Sequence, residues 1–395
     1  MTTLLRGGRL LDARGERASG SWPSEDGYRG EGGAWVLLDG DAIVATGTAA
    51  DAAPPAGVSV DETVDLGDAT LVPGFVDLHT HGGGGHAVDD GDGELEAALA
   101  AHRPHGTTRT VVSLVANPLV ELRRSLAEIA ELADRDPRVL GSHLEGPFLA
   151  PARRGAHEES FLRHPDPEIV DDLLTAGAGR LRQVTIAPEL PGAMEAIARF
   201  SAAGVVASVG HTEADAATAA AAFEAGARML THAFNAMPGI QHRAPGPVVA
   251  AIDDPRVTIE LILDGLHVHP RVAKLLWDAA PGRVALVTDA MAAAAKADGD
   301  YRLGTLNVSV RGGLALLSGT ETIAGSTLTL DVALRQAIAM GADPAAAVAA
   351  LTSVPARAIG EDRLGLLEPG YAGDVVALDT AWNVTAVYAA GRRVA

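Results

Sequence analysis

Apolar segments of strand length alternate with alanine-rich segments of helix length from residue 71 onwards. Both faces of the strand-like segments are apolar, as expected for strands buried in a parallel sheet. Eight strands are predicted, over Leu71–Leu78, Thr107–Val115, Arg138–Leu144, Leu181–Ala187, Gly204–Val209, Ala227–Thr231, Val257–Leu263 and Arg283–Thr288. Helices are predicted between most of them, over Glu94–His105, Leu119–Asp134, Pro167–Ala176, Gly192–Ala202, Glu213–Ala225, Arg271–Ala280 and a shorter segment, Pro247–Asp253. Eight β/α units within about 220 residues predict an α/β fold, the (β/α)8 TIM barrel.

Strand-like segments also occur at both ends of the chain, outside the eight units. They cover Thr3–Leu11, Trp35–Leu38, Ala42–Thr46, Asp374–Leu378 and Val384–Ala389. We expect them to pair into a small β-sandwich-like domain of residues 1–70 plus 355–395, which leaves 71–354 for the barrel. The segment Ala13–Gly33 is rich in glycine, serine and charge, and it is predicted to be a loop.

The alternation changes after the eighth strand. Tyr301–Leu317 predicts a hairpin with its turn at Gly312 and Gly313. Two helices are predicted to follow, over Ser326–Met340 and Pro344–Thr352. We expect these helices to complete the barrel domain before the chain returns to the small domain.

Composition and charge exclude several classes of function. The 395 residues carry 31 Lys and Arg against 51 Asp and Glu, a net charge of −20. Such an acidic chain is poorly suited to bind nucleic acid or an anionic membrane. The chain has no cysteine, which excludes disulfides and thiolate metal sites and leaves histidine and carboxylate ligands. Since the sequence contains neither an apolar run of about 18 residues nor a cleavable leader pattern, a cytoplasmic protein is expected.

The candidate chemistry begins at the end of the first predicted strand. The stretch LVPGFVDLHTHGGGG, from Leu71 to Gly85, ends in a His-x-His pair and four glycines. Residues i and i+2 of a strand point the same way, so His79 and His81 project together and can share a metal ion. Two surface histidines at a turn are the alternative interpretation of such a pair.

The active site of a (β/α)8 barrel lies at the carboxyl ends of its strands. Glu145 follows strand three, His211 strand five, His232 strand six and Asp289 strand eight. Each residue alone has a structural alternative: the histidines as buried side chains bonded to a carbonyl, and the carboxylates as caps of a helix. Together with the His-x-His pair around one axis, they predict a metal site. Glu189, after strand four, is interpreted as structural.

Imidazole and carboxylate ligands without sulfur suit Zn²⁺, with Fe²⁺ or Co²⁺ as alternatives. A metal ion lowers the pKa of the water that it binds. Asp289 is expected to take a proton from that water and later to pass it to a leaving group. The predicted reaction is a hydrolysis at a carbonyl group.

The His-x-His pair at strand one and the aspartate at strand eight resemble the amidohydrolase superfamily. Many of its two-metal members bridge the metals with a carboxylated lysine from a barrel strand. The lysines here are Lys274, in a predicted helix, and Lys296, in a loop. Glu145 is therefore expected to take the bridging place.

A longer set of segments narrows the resemblance. From residue 71 onwards the chain contains, in order, PGFVDLHTHG, HLEGPFLAPARRGAH, GHTEA, THAFNAM, HRAPG, LILDGLHV, LVTDAM and IAGSTLTL. They resemble the N-acetylglucosamine-6-phosphate deacetylases, and HLEGPF and THAFNAM are the most specific. The resemblance implies hydrolysis of N-acetyl-D-glucosamine 6-phosphate to D-glucosamine 6-phosphate and acetate, in amino-sugar catabolism or cell-wall recycling. It also implies a homodimer.

The resemblance further implies metal ligands. Glu145, His211 and His232 are expected to bind the catalytic metal. His79 and His81 match a second metal position that only some members keep. One or two metal ions per chain are therefore expected.

Catalytic and substrate-binding roles follow from the same resemblance. Asp289 is expected to act as general base and then as general acid, and His157 to polarise the acetyl carbonyl. Asn235 and the backbone of Ala236 are expected to contact the phosphate, and Arg243 to reach across a dimer interface. The full set of predicted substrate-binding residues is Asn235, Ala236, Arg243, Asp264, His267, Ile323, Ala324, Gly325 and Ser326.

Two other kinds of function stay open. One is another amidohydrolase, either a deacetylase for N-acetylgalactosamine 6-phosphate or a cyclic amide hydrolase. The other is a non-catalytic sugar-phosphate-binding protein. A KM that depends on the phosphate group separates the sugar deacetylases from the cyclic amide hydrolase. The metal ligands and Asp289 argue against the binding protein, because a binder has no use for an activated water.

Overall fold

A computed structural model of the chain describes residues 1–17, 19–21, 31–48, 58–91 and 93–395. Within these residues the chain forms two compact units. One unit consists of Met1–Val76, Arg103–Arg109 and Ala337–Ala395, and the other of Asp77–His102 and Thr110–Gln336. The domain boundaries expected from the sequence, at residues 70 and 355, stay a prediction.

An eight-stranded sheet forms the barrel, and its strands are neighbours in chain order. They are Phe75–Thr80, Thr107–Val115, Val139–Glu145, Leu181–Ile186, Val206–Val209, Met229–Leu230, Thr258–Ile262 and Val284–Val287. The last strand returns to the first through a parallel bridge between Thr80 and Ala290. The amide of Asp289 also donates to the carbonyl of His79 at 2.8 Å. The (β/α)8 barrel predicted from the alternating pattern is confirmed.

The first predicted strand, Leu71–Leu78, is two strands in the structure. Thr70–Pro73 belongs to a separate six-stranded sheet, and Phe75–Thr80 opens the barrel. Gly74 separates the two, and a Cβ at this position would lie 2.2 Å from Thr108 Oγ1. The sequence did not reveal this break, because both strands are buried on both faces and read as one apolar run.

Ten α-helices are found among the described residues: Glu94–His102, Leu119–Arg135, Pro167–Ala176, Ala193–Ala202, Ala216–Ala225, Gly246–Asp253, Pro270–Ala279, Leu330–Ala339, Pro344–Leu351 and Ser353–Ala358. The helix predicted from Ser326 begins at Leu330 instead. Ser326 Oγ donates to the carbonyl of Thr288 and accepts from the amide of Leu328, which holds these residues in a loop. None of the helices described combines the length and the hydropathy that a membrane span requires.

Besides the helices Pro344–Leu351 and Ser353–Ala358, the smaller unit contains two sheets, one of which combines strands from both chain ends. The six-stranded sheet has the order Arg392–Arg393, Val384–Ala389, Val375–Leu378, Thr70–Pro73, Arg9–Asp12 and Gly15–Arg17. The five-stranded sheet consists of Ser19–Ser21, Glu31–Asp39, Thr2–Gly7, Glu62–Asp65 and Ala42–Thr48. Side chains of both sheets share one apolar core, for example Leu5 and Val36 of the latter and Val375 of the former. The β-sandwich-like arrangement of the two termini is confirmed.

A buried carboxylate links the two chain ends in this unit. Asp12 is fully buried and accepts hydrogen bonds from Arg14 at 2.7 Å, Arg17 at 3.0 Å and the amide of Leu367 at 3.2 Å. Burial by itself raises the pKa of Asp12, but the hydrogen bonds to Arg14 and the charges of both arginines outweigh it and lower the pKa. The stability that this contact contributes is therefore present at neutral pH and is lost as the pH falls through the lowered pKa.

Two further predicted segments differ from the structure. Ala13–Gly33, predicted as a loop, lies partly outside the described residues, and its described parts include the strands Gly15–Arg17 and Ser19–Ser21, so the prediction is wrong there. The predicted hairpin Tyr301–Leu317 is a three-stranded antiparallel sheet of Gly299–Leu303, Leu306–Arg311 and Leu314–Leu317.

Candidate metal centre and active-site cavity

The side chains predicted as metal ligands, together with Asp289, meet at the carboxyl end of the barrel strands. They form two overlapping groups, one of His79, His81, Glu145 and Asp289 and the other of Glu145, His211 and His232. In each group, the atoms able to bind a metal lie within 4.8 Å of one another, and all of these side chains are buried. Glu145 belongs to both groups, so its position is compatible with the expected bridging role.

The carboxylate of Glu145 is the centre of this arrangement. Its Oε1 lies 2.9 Å from His232 Nε2, 3.1 Å from His211 Nε2 and 3.3 Å from His79 Nε2. Its Oε2 lies 3.1 Å from His81 Nε2. Four imidazoles from three strand ends thus direct the same nitrogen at one carboxylate.

Asp289 is the second carboxylate of the group that contains His79 and His81. Its Oδ1 is 3.4 Å from His79 Nε2 and 3.3 Å from His81 Nε2. The Asp289 side chain is 12% exposed, against 5% for Glu145 and 0% for His79. The carboxylate predicted as a base is therefore also a candidate ligand, and it is the more accessible of the two carboxylates.

Hydrogen bonds on the far side of the rings determine which nitrogen faces the cluster. His81 and His211 donate from Nδ1 to main-chain carbonyls at 3.0 and 2.8 Å, and His79 donates from Nδ1 to the Glu260 carboxylate at 3.2 Å. Because those oxygens only accept, each Nδ1 carries a proton, so Nε2 of each ring faces the cluster and offers its lone pair there when the ring is neutral.

The short distances between the imidazole nitrogens show whether a metal ion fits the cluster. The Nε2 atoms of His79 and His81 lie 3.1 Å apart, and those of His211 and His232 lie 3.0 Å apart. Lone pairs at this separation repel each other, and the carboxylates nearby add negative charge. A cation bound among them removes the repulsion, and imidazole with carboxylate is a donor set that Zn²⁺ accepts. The residues therefore fit a divalent metal ion.

The charges of the cluster point to the same conclusion. Burial by itself lowers the pKa of His79, but the charges of Glu145 and Asp289 outweigh it. Burial raises the pKa of Asp289, and so does the charge of Glu145, but the charge of His79 and the hydrogen bond with His81 outweigh both. The pKa of His79 is raised well above its usual value, and that of Asp289 is lowered to about 2. The carboxylates thus stay ionised and draw positive charge into the cluster, as a proton on His79 when no other cation supplies it.

The backbone turns sharply where these side chains leave their strands. His211, His232 and Asp289 have positive φ angles of 48°, 26° and 48°. Residues other than glycine rarely adopt this region. Such strain persists only where the surrounding structure holds it, and it concentrates at active sites.

His157, on the loop after the third barrel strand, has the opposite tautomer. Its Nδ1 accepts the amide hydrogen of Ala116 at 3.1 Å, so that Nε2 carries the proton, 3.4 Å from Glu145 Oε2. Burial lowers the pKa of His157 to about 4, although the Glu145 carboxylate acts in the opposite direction. The ring is therefore a neutral hydrogen-bond donor at neutral pH, which is compatible with the role expected for it at the acetyl carbonyl.

A cavity of about 510 Å³ opens onto the cluster. Its lining includes the predicted site residues His81, Glu145, His157, His211, His232, Asp289, Asn235, Ala236, His267, Ile323 and Gly325. A cavity of this volume with many polar groups suits one small polar molecule.

Four predicted substrate-binding residues do not line this cavity. Asp264 instead holds His267, with its Oδ2 2.7 Å from His267 Nδ1. Ala324 is fully buried, and the side chain of Ser326 donates to a main-chain carbonyl. Arg243 is exposed and lines a separate surface cavity with residues of the 213–217 and 238–246 segments.

Several polar residues at the site were missed at the sequence level. Arg153 and Arg154 line the cavity, and two adjacent arginines in so acidic a chain were a usable signal. Glu260 and His143 lie fully buried inside the barrel. Their signal was a charged or polar residue within an apolar strand, which the strand prediction passed over.

The remaining predicted residues have local partners. Glu189 accepts from Thr212 Oγ1 and from the amide of Glu213, so it holds the loop after the fifth strand. Lys274 pairs with Asp278 on the helix Pro270–Ala279 at 2.6 Å.

Comparison with known proteins places these features in a family. Residues 70–394 match the model of the Amidohydrolase family. The N-acetylgalactosamine-6-phosphate deacetylase of Escherichia coli O157:H7 is 37% identical over 99% of both chains. The N-acetylglucosamine-6-phosphate deacetylase of Bos taurus is 36% identical over 85% of both chains.

A solved structure extends the similarity to the whole fold. The N-acetyl-D-glucosamine-6-phosphate deacetylase of Mycobacterium smegmatis, solved as a mutant in complex with N-acetyl-D-glucosamine-6-phosphate, is 42% identical. It superposes with a TM-score of 0.89 over 100% of this chain and 99% of the other. The chain therefore belongs to the amidohydrolase family, and the resemblance to N-acetylglucosamine-6-phosphate deacetylases that its motifs predicted is confirmed.

Proposed function

We propose that this protein is a metal-dependent amide hydrolase that converts N-acetyl-D-glucosamine 6-phosphate and water to D-glucosamine 6-phosphate and acetate. One observation carries the proposal: residues of both metal-ligand groups, including Asp289, line the same cavity as His157. The Mycobacterium smegmatis relative with bound N-acetyl-D-glucosamine-6-phosphate supports the choice of substrate. A role in amino-sugar catabolism and a cytoplasmic location stay predictions from the sequence.

The metal ligands are assigned within this proposal. Glu145, His211 and His232 would hold the first ion, and His79 and His81 with Glu145 would hold a second. Zn²⁺ is the proposed metal, since imidazole nitrogen and carboxylate oxygen surround the site and sulfur is absent from the donor set. When bound, the metal supplies a Lewis acid that makes water a nucleophile at neutral pH.

Asp289 moves the proton in the proposed reaction. Its ionised carboxylate accepts a proton from the attacking water as the new carbon–oxygen bond forms at the acetyl carbon. It then donates that proton to the amine nitrogen as the carbon–nitrogen bond breaks. Asp289 thus returns, in the same turnover, the proton that it takes up. The second proton of the water leaves with the new carboxylic acid and passes to the amine, so the products are acetate and the ammonium form of the amino sugar.

His157 stabilises the negative charge that develops on the acetyl oxygen. Its protonated Nε2 faces the cavity, because Nδ1 is engaged by the amide of Ala116. A neutral donor fixed in advance costs little reorganisation when the charge forms. The phosphate is assigned to the opposite side of the site, to Asn235, the backbone of Ala236 and His267.

We expect the phosphate group to be needed for efficient turnover. Two charge-assisted hydrogen bonds contribute about 3 kcal/mol together, so kcat/KM for N-acetylglucosamine should be about a hundredfold lower than for its 6-phosphate. Acetate release from both sugars, before and after chelation and with Zn²⁺ restored, measures this. Equal values of kcat/KM would contradict the substrate assignment, and release that survives complete metal removal would contradict the metal-dependent mechanism.

A second candidate substrate differs only in the sugar epimer. The relative from Escherichia coli O157:H7, 37% identical over 99% of both chains, is an N-acetylgalactosamine-6-phosphate deacetylase. N-Acetylgalactosamine 6-phosphate therefore belongs in the same assay. A higher kcat/KM for that sugar would replace the first candidate and leave the chemistry as proposed.

We also propose a homodimer in which Arg243 completes the partner's phosphate site. Arg243 is exposed and does not line the cavity of its own chain. Ile240, Leu266 and Leu275, from the loops after strands six and seven and from the following helix, are exposed by 54%, 47% and 71%. Exposed apolar residues near such loops suit a protein interface.

Mixing two impaired variants tests whether Arg243 acts across the dimer. Arg243→Ala dimers lack the guanidinium, and Asp289→Asn dimers lack the base. In a mixed dimer, the Arg243→Ala chain keeps Asp289 and receives Arg243 from its partner, so one complete site forms. We expect acetate release to rise by about tenfold or more over either variant alone after subunit exchange, since one lost charge-assisted contact costs about 2 kcal/mol. No rise, with exchange shown by mass spectrometry, would place Arg243 outside the partner's site.

A further inference from the structure

A buried carboxylate lies directly behind the metal-ligand cluster. Glu260 is on the seventh barrel strand, Thr258–Ile262, and its side chain is fully buried. None of the roles proposed above uses this residue. A carboxylate inside a barrel is costly to bury unless its hydrogen bonds are satisfied, so its neighbours indicate what it does.

The polar groups around Glu260 all donate to it. Gln183 Nε2 donates to Oε1 at 2.7 Å, the amide of His232 donates to Oε2 at 3.3 Å, and His79 Nδ1 lies 3.2 Å from Oε2. An acceptor in this position keeps the proton of His79 on Nδ1. The lone pair of His79 Nε2 is then available to the cluster.

His79 is the imidazole of the cluster that has a carboxylate behind it. His81 and His211 donate instead to main-chain carbonyls. His232 Nδ1 has no hydrogen-bond partner among the described residues. A carboxylate makes the imidazole that it holds a stronger metal ligand than a carbonyl does, because it adds a full negative charge.

The two metal-ligand groups therefore differ in their outer contacts. Through its side chain, Glu260 acts on the group of His79, His81, Glu145 and Asp289, and it reaches the group of His211 and His232 only through one main-chain amide. We propose that Glu260 is a positioning residue that enables the second metal position to hold its ion. The chain would then bind two metal ions, of which the second depends on Glu260. This proposal rests on the metal-dependent function proposed above.

Metal counting in matched variants tests the proposal. Wild type, Glu260→Gln, His79→Ala and the double variant are dialysed against Zn²⁺ and analysed by mass spectrometry of the metal. Competition with a chelator gives the affinity of each position. Glu189→Gln is the control, because it makes the same change at a glutamate that follows the fourth strand and contacts Thr212 and Glu213 rather than the cluster.

We expect two ions per chain in wild type and in the control. Glu260→Gln should lower the affinity for the second ion by about tenfold to a hundredfold, as removal of an outer carboxylate does at other metal–histidine sites. The affinity of the first ion should change by less than about threefold, since Glu260 reaches the group of His211 and His232 only through the main-chain amide of His232. Co²⁺ in place of Zn²⁺ provides an optical spectrum in which loss of the second ion is visible without any assay of activity.

The double variant distinguishes positioning from a general structural effect. If Glu260 acts through His79, the change to Gln has no further effect on metal binding once His79 is Ala. An equal loss of affinity at both positions, or the same loss with and without His79, would overturn the proposal. One ion per wild-type chain would also overturn it, whereas failure of acetate release from either sugar phosphate would overturn the proposed function alone.

A milder substitution keeps the test usable if Glu260→Gln does not fold. Gln183→Met removes the donor at Glu260 Oε1 and leaves the contact with His79 in place. It should lower the affinity for the second ion by a smaller factor than Glu260→Gln does, and it should leave the affinity for the first ion unchanged. An unchanged affinity for the second ion in Gln183→Met would contradict the role assigned to the hydrogen bonds from Gln183 through Glu260 to His79.

Discussion

Asp289→Asn is expected to lower kcat for acetate release by about a thousandfold, the usual contribution of a positioned acid–base group. The amide of asparagine can neither accept the proton of the attacking water nor return it to the amine. The side chain keeps its size, so the fold and the cavity should not change. Steady-state acetate release with N-acetylglucosamine 6-phosphate measures the loss.

Metal analysis separates a lost base from a lost metal ion. Glu145, His211 and His232 form a group without Asp289, so the first ion should remain at wild-type occupancy. The affinity for the second ion is expected to fall, because Asp289 Oδ1 lies beside His79 and His81.

Asp215→Asn is a suitable control for Asp289→Asn. Asp215 caps the helix Ala216–Ala225 by accepting from the amide of Thr218, and asparagine is an equally good cap. This variant should keep wild-type kcat. An Asp289→Asn enzyme that retained most of its kcat would rule out the proton-transfer role.

Glu145→Ala is expected to abolish acetate release and to remove the first metal ion. Glu145 is the residue shared by both groups, and without it the group of Glu145, His211 and His232 keeps only its two histidines. Two ligands hold a divalent ion weakly. Loss of the Lewis acid should cost about 4 kcal/mol or more of transition-state stabilisation, about a thousandfold in kcat.

The metal content of Glu145→Ala is a sharper readout than its activity. His79, His81 and Asp289 still offer three ligands, so at most one weakly held ion per chain is expected, and it should not restore turnover. Glu189→Gln again serves as the control and should keep both ions. Two tightly bound ions in Glu145→Ala would show that the carboxylate does not bridge the two positions.

The parts of the site that could be predicted depend on local spacing. His79 and His81 are two residues apart on a strand, and Glu145, His211, His232 and Asp289 each lie at a strand end, so a barrel brings them together. The apolar alternation that predicted the barrel is equally local. It did not predict the division of the first strand at Gly74, because apolar residues continue across that break.

Residues whose role depends on distant partners were missed or incompletely predicted. Glu260 appeared as one charged residue in an apolar strand, and its contact with His79 joins positions 181 residues apart in the chain. Arg153 and Arg154 line the cavity because their loop folds back over the strand ends. No local sequence pattern predicts which loops meet at a cavity, since that depends on the packing of the whole barrel.

The sequence by itself determined the (β/α)8 barrel, the β domain built from both termini and the residue types at each strand end. These follow from side-chain periodicity and from the absence of cysteine, which are properties of short segments and of composition. The tertiary structure alone decided which imidazole nitrogen faces the cluster, that His157 is a donor, and that Glu260 stands behind His79. The reason is physical: a tautomer is set by the hydrogen-bond partner on the far side of the ring, and folding brings that partner from another strand or loop.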